Sequence, residues 1–405
     1  MEAELSEGES EERAQSKKQE IEERADWSNL KADTLKLIAD RLIINITDYI
    51  CFRCVCKAWR ATNPQSRSHP PQLPWLVLGC EDDFDRLVFY SFSDSRVHKI
   101  KLPTIGDMVV INGSSDGWLV LEDRPSSSIS LLNPLTGVQI HLPSAPGQLR
   151  SIHTATHDNA DASITKEFMQ ALIWKISMSS NPLATDQDCT MIVIASWNRA
   201  LLSIRFGHDD DWSLLDDTTV YLDVIYFKGS FYAIDYTAQV FMFDSQLKKV
   251  AITEPRQEST NTLWQFAELS GELVVLGNMV SENPIVDEWE GTMTFTTERI
   301  DILKLNMEGL ISSSLEETKS LDDHILFLGV TSRSISRPAA QYPHGKHNTI
   351  YVHEVYSWHD DELACCRSGV YDIETASLRP LPYNHDNSEV ILDCIINIWH
   401  EPCLF

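Results

Sequence analysis

Two hydrophobic periods divide the chain. Between Trp27 and Thr62 the apolar residues recur at helical spacing. Leu35, Ile38 and Leu42 stand at i, i+3 and i+7 and share a face; Tyr49, Phe52, Cys56 and Trp59 repeat the pattern in a second segment. Asp33 and Asp48 precede these runs and are placed to act as N-caps, their carboxylates accepting from the free amides of a first turn. The pattern predicts two or three short helices. So few helices build no large core alone, so the unit is expected to bury its apolar face against a partner or the rest of the chain.

From Trp75 onward the period shortens to that of strands broken by turns. LVLG at 76–79, RLVFYSF at 86–92, DMVVING and WLVLED follow one another, and Asn133-Pro134-Leu135-Thr136-Gly137 makes a tight hairpin inside SISLLNPLTGVQIHLP. The shape returns at 220–252, with turns at Lys228-Gly229 and Asp244-Ser245, then in ELSGELVVLGNMV, RIDILKLNMEGL and GVYDIETASLRPLP. Successive hairpins without helical stretches of similar length predict an all-β body. At about forty to fifty residues per four-stranded blade, six or seven blades of a β-propeller fit, with a pair of β-sandwiches as the alternative. Neither a kelch nor a WD signature marks the repeats. The expected organisation is a Glu-rich disordered segment at 1–25, a helical domain at 26–62, a stiff Pro-rich linker at 63–74 and the β domain at 75–405.

Charge narrows the function classes. The chain carries a formal charge of −27, with 43% hydrophobic and 23% charged residues. That balance disfavours phosphate-backbone binding and anionic membrane surfaces, both of which call for Lys and Arg. The helical stretch reverses the sign locally, with six basic residues against three acidic between Trp27 and Thr62. Arg53, Lys57 and Arg60 form a stripe at i, i+4 and i+7 that is either a solvated face or a match for an acidic partner. The acidic N-terminus has no apolar run behind it, so no signal peptide is expected, and no stretch has transmembrane length. The cytoplasm or the nucleus is the expected location.

A search for chemistry finds little. Nine scattered cysteines fit free thiols; Cys51, Cys54 and Cys56 fall on a predicted helix without a second pair at zinc-ligand spacing, and Cys365-Cys366 sits in an expected loop. No nucleotide-binding glycine pattern, nucleophile elbow or zinc-protease motif occurs. His344, His347, His353 and His359, beside Asp360, Asp361 and Glu362, are the best metal constellation, yet they share no face at a β period. The acidic run from His208 to Asp217 lacks the order of calcium ligands and reads as a solvated loop or a patch for a basic protein. Trp118, Trp174, Trp197, Trp212, Trp264, Trp289, Trp358 and Trp399 read as blade core or as a rim for partners. No catalytic residue, cofactor or metal is expected.

The stretches WSNL, DTLKLIADRL and FRCVCKAWR together resemble an F-box, the helical motif that docks onto the Skp-type adaptor of a cullin-based ubiquitin ligase. The ending, Phe52-Arg53-x-Val55-Cys56-Lys57-x-Trp59-Arg60, is similar to that of plant F-boxes. Lys31 departs from the pattern, which has Pro there. SDGWLVLED with LLNPLTGVQIHLP, then YFKGSFYAID, SGELVVLGN, DILKLN, LFLG and YPHGKHNTIYVHEV with GVYDIETASLRPLP, resemble in order the plant F-box-associated β-propeller of the KIB type over about residues 75 to 385. The match is weaker from 143 to 200, where HDNADASITKEF looks like an insertion. The resemblance implies a non-catalytic substrate receptor that meets the adaptor and cullin complex through Leu30, Leu35, Ile38, Leu42, Val55, Cys56 and Trp59 and an unknown protein through its propeller. A scaffold or inhibitor with a drifted F-box is the alternative, and a hydrolase built on the histidine loop is a third reading.

Overall fold

Strand runs such as MIVIA, LVVLG and ILFLG are apolar at consecutive positions because the sheets they build are covered on both faces, so few positions are left for water. The computed structural model describes residues 27–42, 46–62, 73–81, 86–93, 95–101, 108–113, 117–123, 128–144, 173–184, 188–195, 199–256, 262–281, 285–287, 292–295, 297–307, 313–329, 331–341, 346–353, 364–366, 369–381 and 394–400. The chain separates into two units, Met1–Gln72 and Leu73–Phe405.

The first unit is helical. A 3-10 turn at Trp27–Asn29 leads to α1 (Ala32–Leu42), α2 (Ile46–Cys54) and α3 (Lys57–Arg60). Asp33 and Asp48 lie inside the first turns of α1 and α2 rather than at their caps, where a carboxylate still complements the positive end of the helix. The second apolar run is not one helix. The chain breaks at Cys56, whose φ of −161° and ψ of 175° are extended, so the expected basic stripe divides between α2 and α3.

The second unit is mainly β, and its strands close into six blades. β1 (Trp75–Glu81), β2 (Arg86–Ser91) and β3 (Arg96–Lys101) open the first blade. β4 (Met108–Gly113), β5 (Leu119–Asp123), β6 (Ser128–Asn133) and β7 (Val138–Leu142) form the second. The third is β8 (Ile173–Met178), β9 (Thr190–Ala195), β10 (Leu201–Arg205) and β11 (Ser213–Asp216). The fourth is β12 (Tyr221–Phe227), β13 (Ser230–Asp235), β14 (Val240–Phe243) and β15 (Lys249–Ala251).

Blades five and six depart from the simple meander. β16 (Thr262–Leu269) and β17 (Glu272–Val280) run into a hairpin, β18 (Ile285–Asp287) and β19 (Thr292–Phe295), before β20 (Thr297–Met307) and β21 (Ser313–Thr318) finish blade five. Blade six holds β22 (His324–Gly329), β23 (Ile335–Pro338), β24 (Thr349–His353), β26 (Gly369–Asp372) and β27 (Ser377–Pro380), and β22 lies parallel to β24. Between β24 and β26, β25 (Ala364–Cys366) pairs in parallel with β19. Cys365-Cys366 is therefore strand, because insertions from two blades share a small sheet of their own.

β28 (Cys394–His400) closes the ring. It pairs antiparallel with β1 and becomes the inner strand of blade one, so the two ends of the β region share one sheet. The inner strands then neighbour each other in a cycle: β28 and β4, β4 and β8, β8 and β12, β12 and β16, β16 and β23, and β22 back to β28. Radial repetition leaves each blade only a short outer edge strand, so no long open edge is offered to other chains. Of the two blade numbers the sequence allowed, six is the one formed. The weakly matching stretch around HDNADASITKEF lies outside the described residues.

Turn chemistry explains the local self-similarity. Asn133, Asp235, Asp244 and Asp372 each start a connection by accepting two backbone amides on one side-chain oxygen. Each is followed three or four residues later by a left-handed residue: Gly137 (φ 72°), Ala238 (60°), Leu247 (58°) and Ala376 (50°). Lys228-Gly229 takes φ of 46° and 89° between paired Phe227 and Ser230, the two-residue turn that matches strand twist.

Candidate functional site

The helical unit is organised around its own aromatic residues. Leu35 and Ala39 of α1 and Ile46, Tyr49 and Phe52 of α2 are buried. Tyr49 stacks on Phe52 at 6.0 Å between centroids, and Phe52 meets the Trp59 ring at 4.8 Å. The Trp59 indole N–H donates to the Trp27 carbonyl at 3.0 Å, tying the last helix to the first turn. The Tyr49 hydroxyl donates to the Thr62 carbonyl at 3.3 Å. Burial pushes the Tyr49 phenol above its ordinary value, against the pull of the Arg53 charge.

Around this core stand apolar side chains with no cover. Trp27 and Leu37 are each 63% exposed and Val55 is 54% exposed. Of the residues singled out from the sequence, Val55 is open, while Leu30, Ile38, Leu42, Cys56 and Trp59 are half-buried. Leu35 is 3% exposed and belongs to the interior. Trp27 and Leu37 were missed. Leu37 carries a readable signal, because two residues past Leu35 it falls about 200° around the helix, opposite the buried stripe. Arg60 Nε donates to the Arg53 carbonyl at 3.4 Å, so the divided basic residues still approach each other.

Lys31 sits where the resembled motif has proline. Its carbonyl accepts the Leu35 amide at 3.0 Å, so α1 begins there without proline's fixed φ.

In the propeller, hydrogen bonds bridge the seams between neighbouring blades. Pro143 accepts from the Trp212 indole at 2.9 Å (blades two and three), and Ser177 Oγ from the Tyr226 amide at 2.8 Å (three and four). Asp223 Oδ2 accepts the Phe266 amide at 2.7 Å (four and five), and Gln265 Nε2 donates to the Gly329 carbonyl at 3.0 Å (five and six). Trp399 Nε1 donates to the Leu328 carbonyl at 3.0 Å (six and one). Apolar contact between blades has no direction of its own, so these bonds fix how one blade sits on the next.

The remaining sequence candidates have structural partners or fall outside what is described. Trp118, Trp212, Trp264 and Trp399 are buried, and Trp174 lies half-buried under Arg199. Trp197, Trp289 and Trp358 lie outside the described residues, as do His344 and His359; His347 is exposed. In the acidic run, Asp209 pairs with Arg205 at 2.7 Å, His208 meets Asp188 at 3.1 Å and Asp216 pairs with Lys249 at 2.6 Å. Burial pushes the Asp216 carboxyl up, but bonds from Lys249, Thr218 and Tyr221 outweigh it and hold the group well below the ordinary range. Among the described residues no group of three or more His, Cys, Asp or Glu side chains is placed to hold a metal ion.

Comparison with known proteins agrees with this architecture. The sequence model of the KIB1-4 β-propeller family matches residues 89–372. An Arabidopsis thaliana protein named as an F-box protein is 23% identical over 384 residues, covering 90% of this chain and 93% of its own. An F-box/kelch-repeat protein of the same plant is 22% identical over 275 residues, covering 64% and 70%. The Arabidopsis F-box protein SKIP23 is 24% identical over 330 residues, covering 75% and 78%. A six-bladed ring, matched by this profile through most of its blades, places the chain in the KIB1-4 β-propeller family.

Proposed function

We propose that the chain is the substrate-recognition subunit of a Skp-cullin-F-box ubiquitin ligase, working in the cytoplasm or nucleus. The carrying observation is that Trp27, Leu37 and Val55 stand exposed on a helical unit whose interior is already filled. Apolar side chains left bare around a satisfied core suit a partner surface. Relatives that align along most of their length with this chain are named F-box proteins.

In this reading Leu37 and Val55, with the accessible parts of Leu30, Ile38, Leu42, Cys56 and Trp59, meet the Skp-type adaptor. Leu35 holds the face in shape from inside. The basic residues Arg53, Lys57 and Arg60 run against the charge of the whole chain and steer an acidic partner onto the unit. The propeller grips a target protein, and proximity to the charged ubiquitin-conjugating enzyme supplies the catalysis, so the chain needs no nucleophile of its own.

The test is co-purification of the full chain with the adaptor. Leu37→Asp and Val55→Asp change exposed positions, so helicity should survive while capture is lost. Capture that persists in the double variant would remove the docking assignment. The alternative, a propeller scaffold with a drifted F-box, draws on Lys31 and predicts that the unaltered chain captures no adaptor.

A further inference from the structure

Arg199 enters β10 in the left-handed region, with φ of 56°, and its backbone is held from two sides. The Ala195 amide donates to the Ala200 carbonyl at 2.8 Å, closing the hairpin, and the Tyr221 amide donates to the Arg199 carbonyl at 3.2 Å. The second bond ties this turn of blade three to the first residue of β12. The guanidinium is thereby laid over Trp174, the second residue of β8, with Cζ 3.5 Å from the ring centroid. The site lies at the mouth of the ring where the inner strands β8 and β12 begin.

Both side chains are left short of acceptors. Nη1 of Arg199 and Nε1 of Trp174 are buried, and among the described residues neither has a hydrogen-bond partner. Burial lowers the Arg199 pKa to about 10, which leaves the group cationic at neutral pH, and no carboxylate among the described residues offsets it. Buried donors are nearly always satisfied, and a buried cation is usually paired. Stacking on an indole recovers part of that cost but accepts no N–H. The chain has therefore fixed two buried donors, one of them charged, on stacked side chains that are each half-buried as a whole.

An incoming group needs two acceptor oxygens and one negative charge. A carboxylate has both, and a guanidinium favours its planar geometry. A phosphate dianion would bring a second charge that Arg199 alone does not neutralise. We propose that Arg199 and Trp174 form a carboxylate-binding site at this mouth of the propeller, which takes the C-terminal or side-chain carboxylate of a bound peptide. The site belongs to the propeller and holds whether or not the helical unit docks an adaptor.

The test uses the full chain with nitrogen-labelled tryptophan indoles, the Trp174 signal being identified by its loss in Trp174→Phe. N-acetylglycine presents a C-terminal carboxylate, the carboxamide of N-acetylaspartate presents a side-chain carboxylate, and N-acetylglycinamide presents none. The expected result is a saturable shift of the Trp174 indole signal with one or both acids and none with the amide. The stronger acid identifies the source of the carboxylate. Arg199→Met should weaken that binding by about ten- to a hundredfold, the loss of one charge-assisted bond. Inorganic phosphate should bind more weakly than either acid. An equal shift with the amide, the absence of any saturable shift, or tighter binding of phosphate would each overturn the proposal, and all three are read on the unsubstituted protein.

Discussion

Lys175 and Asp223 form an ion pair of 2.5 Å across the seam of blades three and four, with 2% and 1% of their side chains exposed. The same carboxylate accepts the Val224 amide at 2.6 Å and the Phe266 amide at 2.7 Å, so one side chain joins three blades. Burial pushes the Asp223 carboxyl above its usual range, and Lys175 and the two amides pull it back.

Removing one partner should cost more than removing both. Asp223→Asn leaves a buried ammonium without a counter-charge and is expected to destabilise the propeller by about 3–5 kcal/mol. Lys175→Met combined with Asp223→Asn should recover part of that loss, because the amide oxygen still accepts from Phe266. Urea unfolding of the single and double variants gives the comparison. Equal losses in both would count against the pair as an electrostatic unit.

His400 makes stability depend on pH. The ring is fully buried and lies 5.7 Å from Phe89, and among the described residues neither nitrogen has a hydrogen-bond partner. Burial lowers its pKa from 6.5 to about 3, so the folded chain holds it neutral. The stability this contributes is fully present above 6.5 and declines as pH falls toward about 3. The slope is about 1.4 kcal/mol per pH unit in that window. His400→Leu should flatten the decline of melting temperature below 6.5, and an unchanged slope would move the cause elsewhere.

Gly277 is required by packing rather than by conformation. A Cβ there would lie 2.4 Å from Cζ3 of Trp264, the ring that anchors the seam of blades four and five. Gly277→Ala should cost about 1–3 kcal/mol through overpacking. Trp264→Leu in the same chain should lessen that penalty. At Gly271 a Cβ meets open space, but φ is 77°, so Gly271→Ala should cost about 1–2 kcal/mol through backbone strain that no second-site change relieves. Thermal melting of these variants separates the two causes.

Lys31→Pro tests how far the helical unit has departed from the resembled motif. The Lys31 carbonyl already receives the Leu35 amide, so proline would mainly restrict the unfolded chain, an effect of about 0.4–1 kcal/mol. Adaptor affinity should therefore rise less than about tenfold. A larger gain, by calorimetric titration, would favour the drifted scaffold over a working receptor.

Much of the fold was legible because a turn writes itself in few residues. Asn133, Lys228-Gly229 and Asp244 mark connections whose backbone angles few other side chains accept, and the runs between them are strands. The blade number was not legible, since β18, β19 and β25 interrupt two blades and the inner strand of the first blade comes from residues 394–400. In the helical unit the buried stripe was clear but its role was not separable. Periodicity places Leu35 and Ile38 on one face without saying that the first is sealed and the second half-open. The pairing of Arg199 with Trp174 left no mark at all, because it depends on the left-handed backbone of Arg199 where the chain enters β10.

The pairing of Trp75 with His400 also sets a timetable. Blades two to five can hydrogen-bond their own strands as they leave the ribosome, but blade one must wait for β28. Its closing contact spans nearly the whole β region, so ring closure is the slow, long-range event of folding. A chain cut short before Cys394 would keep its helical unit and lose its closed ring. If the proposed function holds, such a fragment would occupy the adaptor without presenting a target, and an early stop would act as a competitor rather than a simple loss.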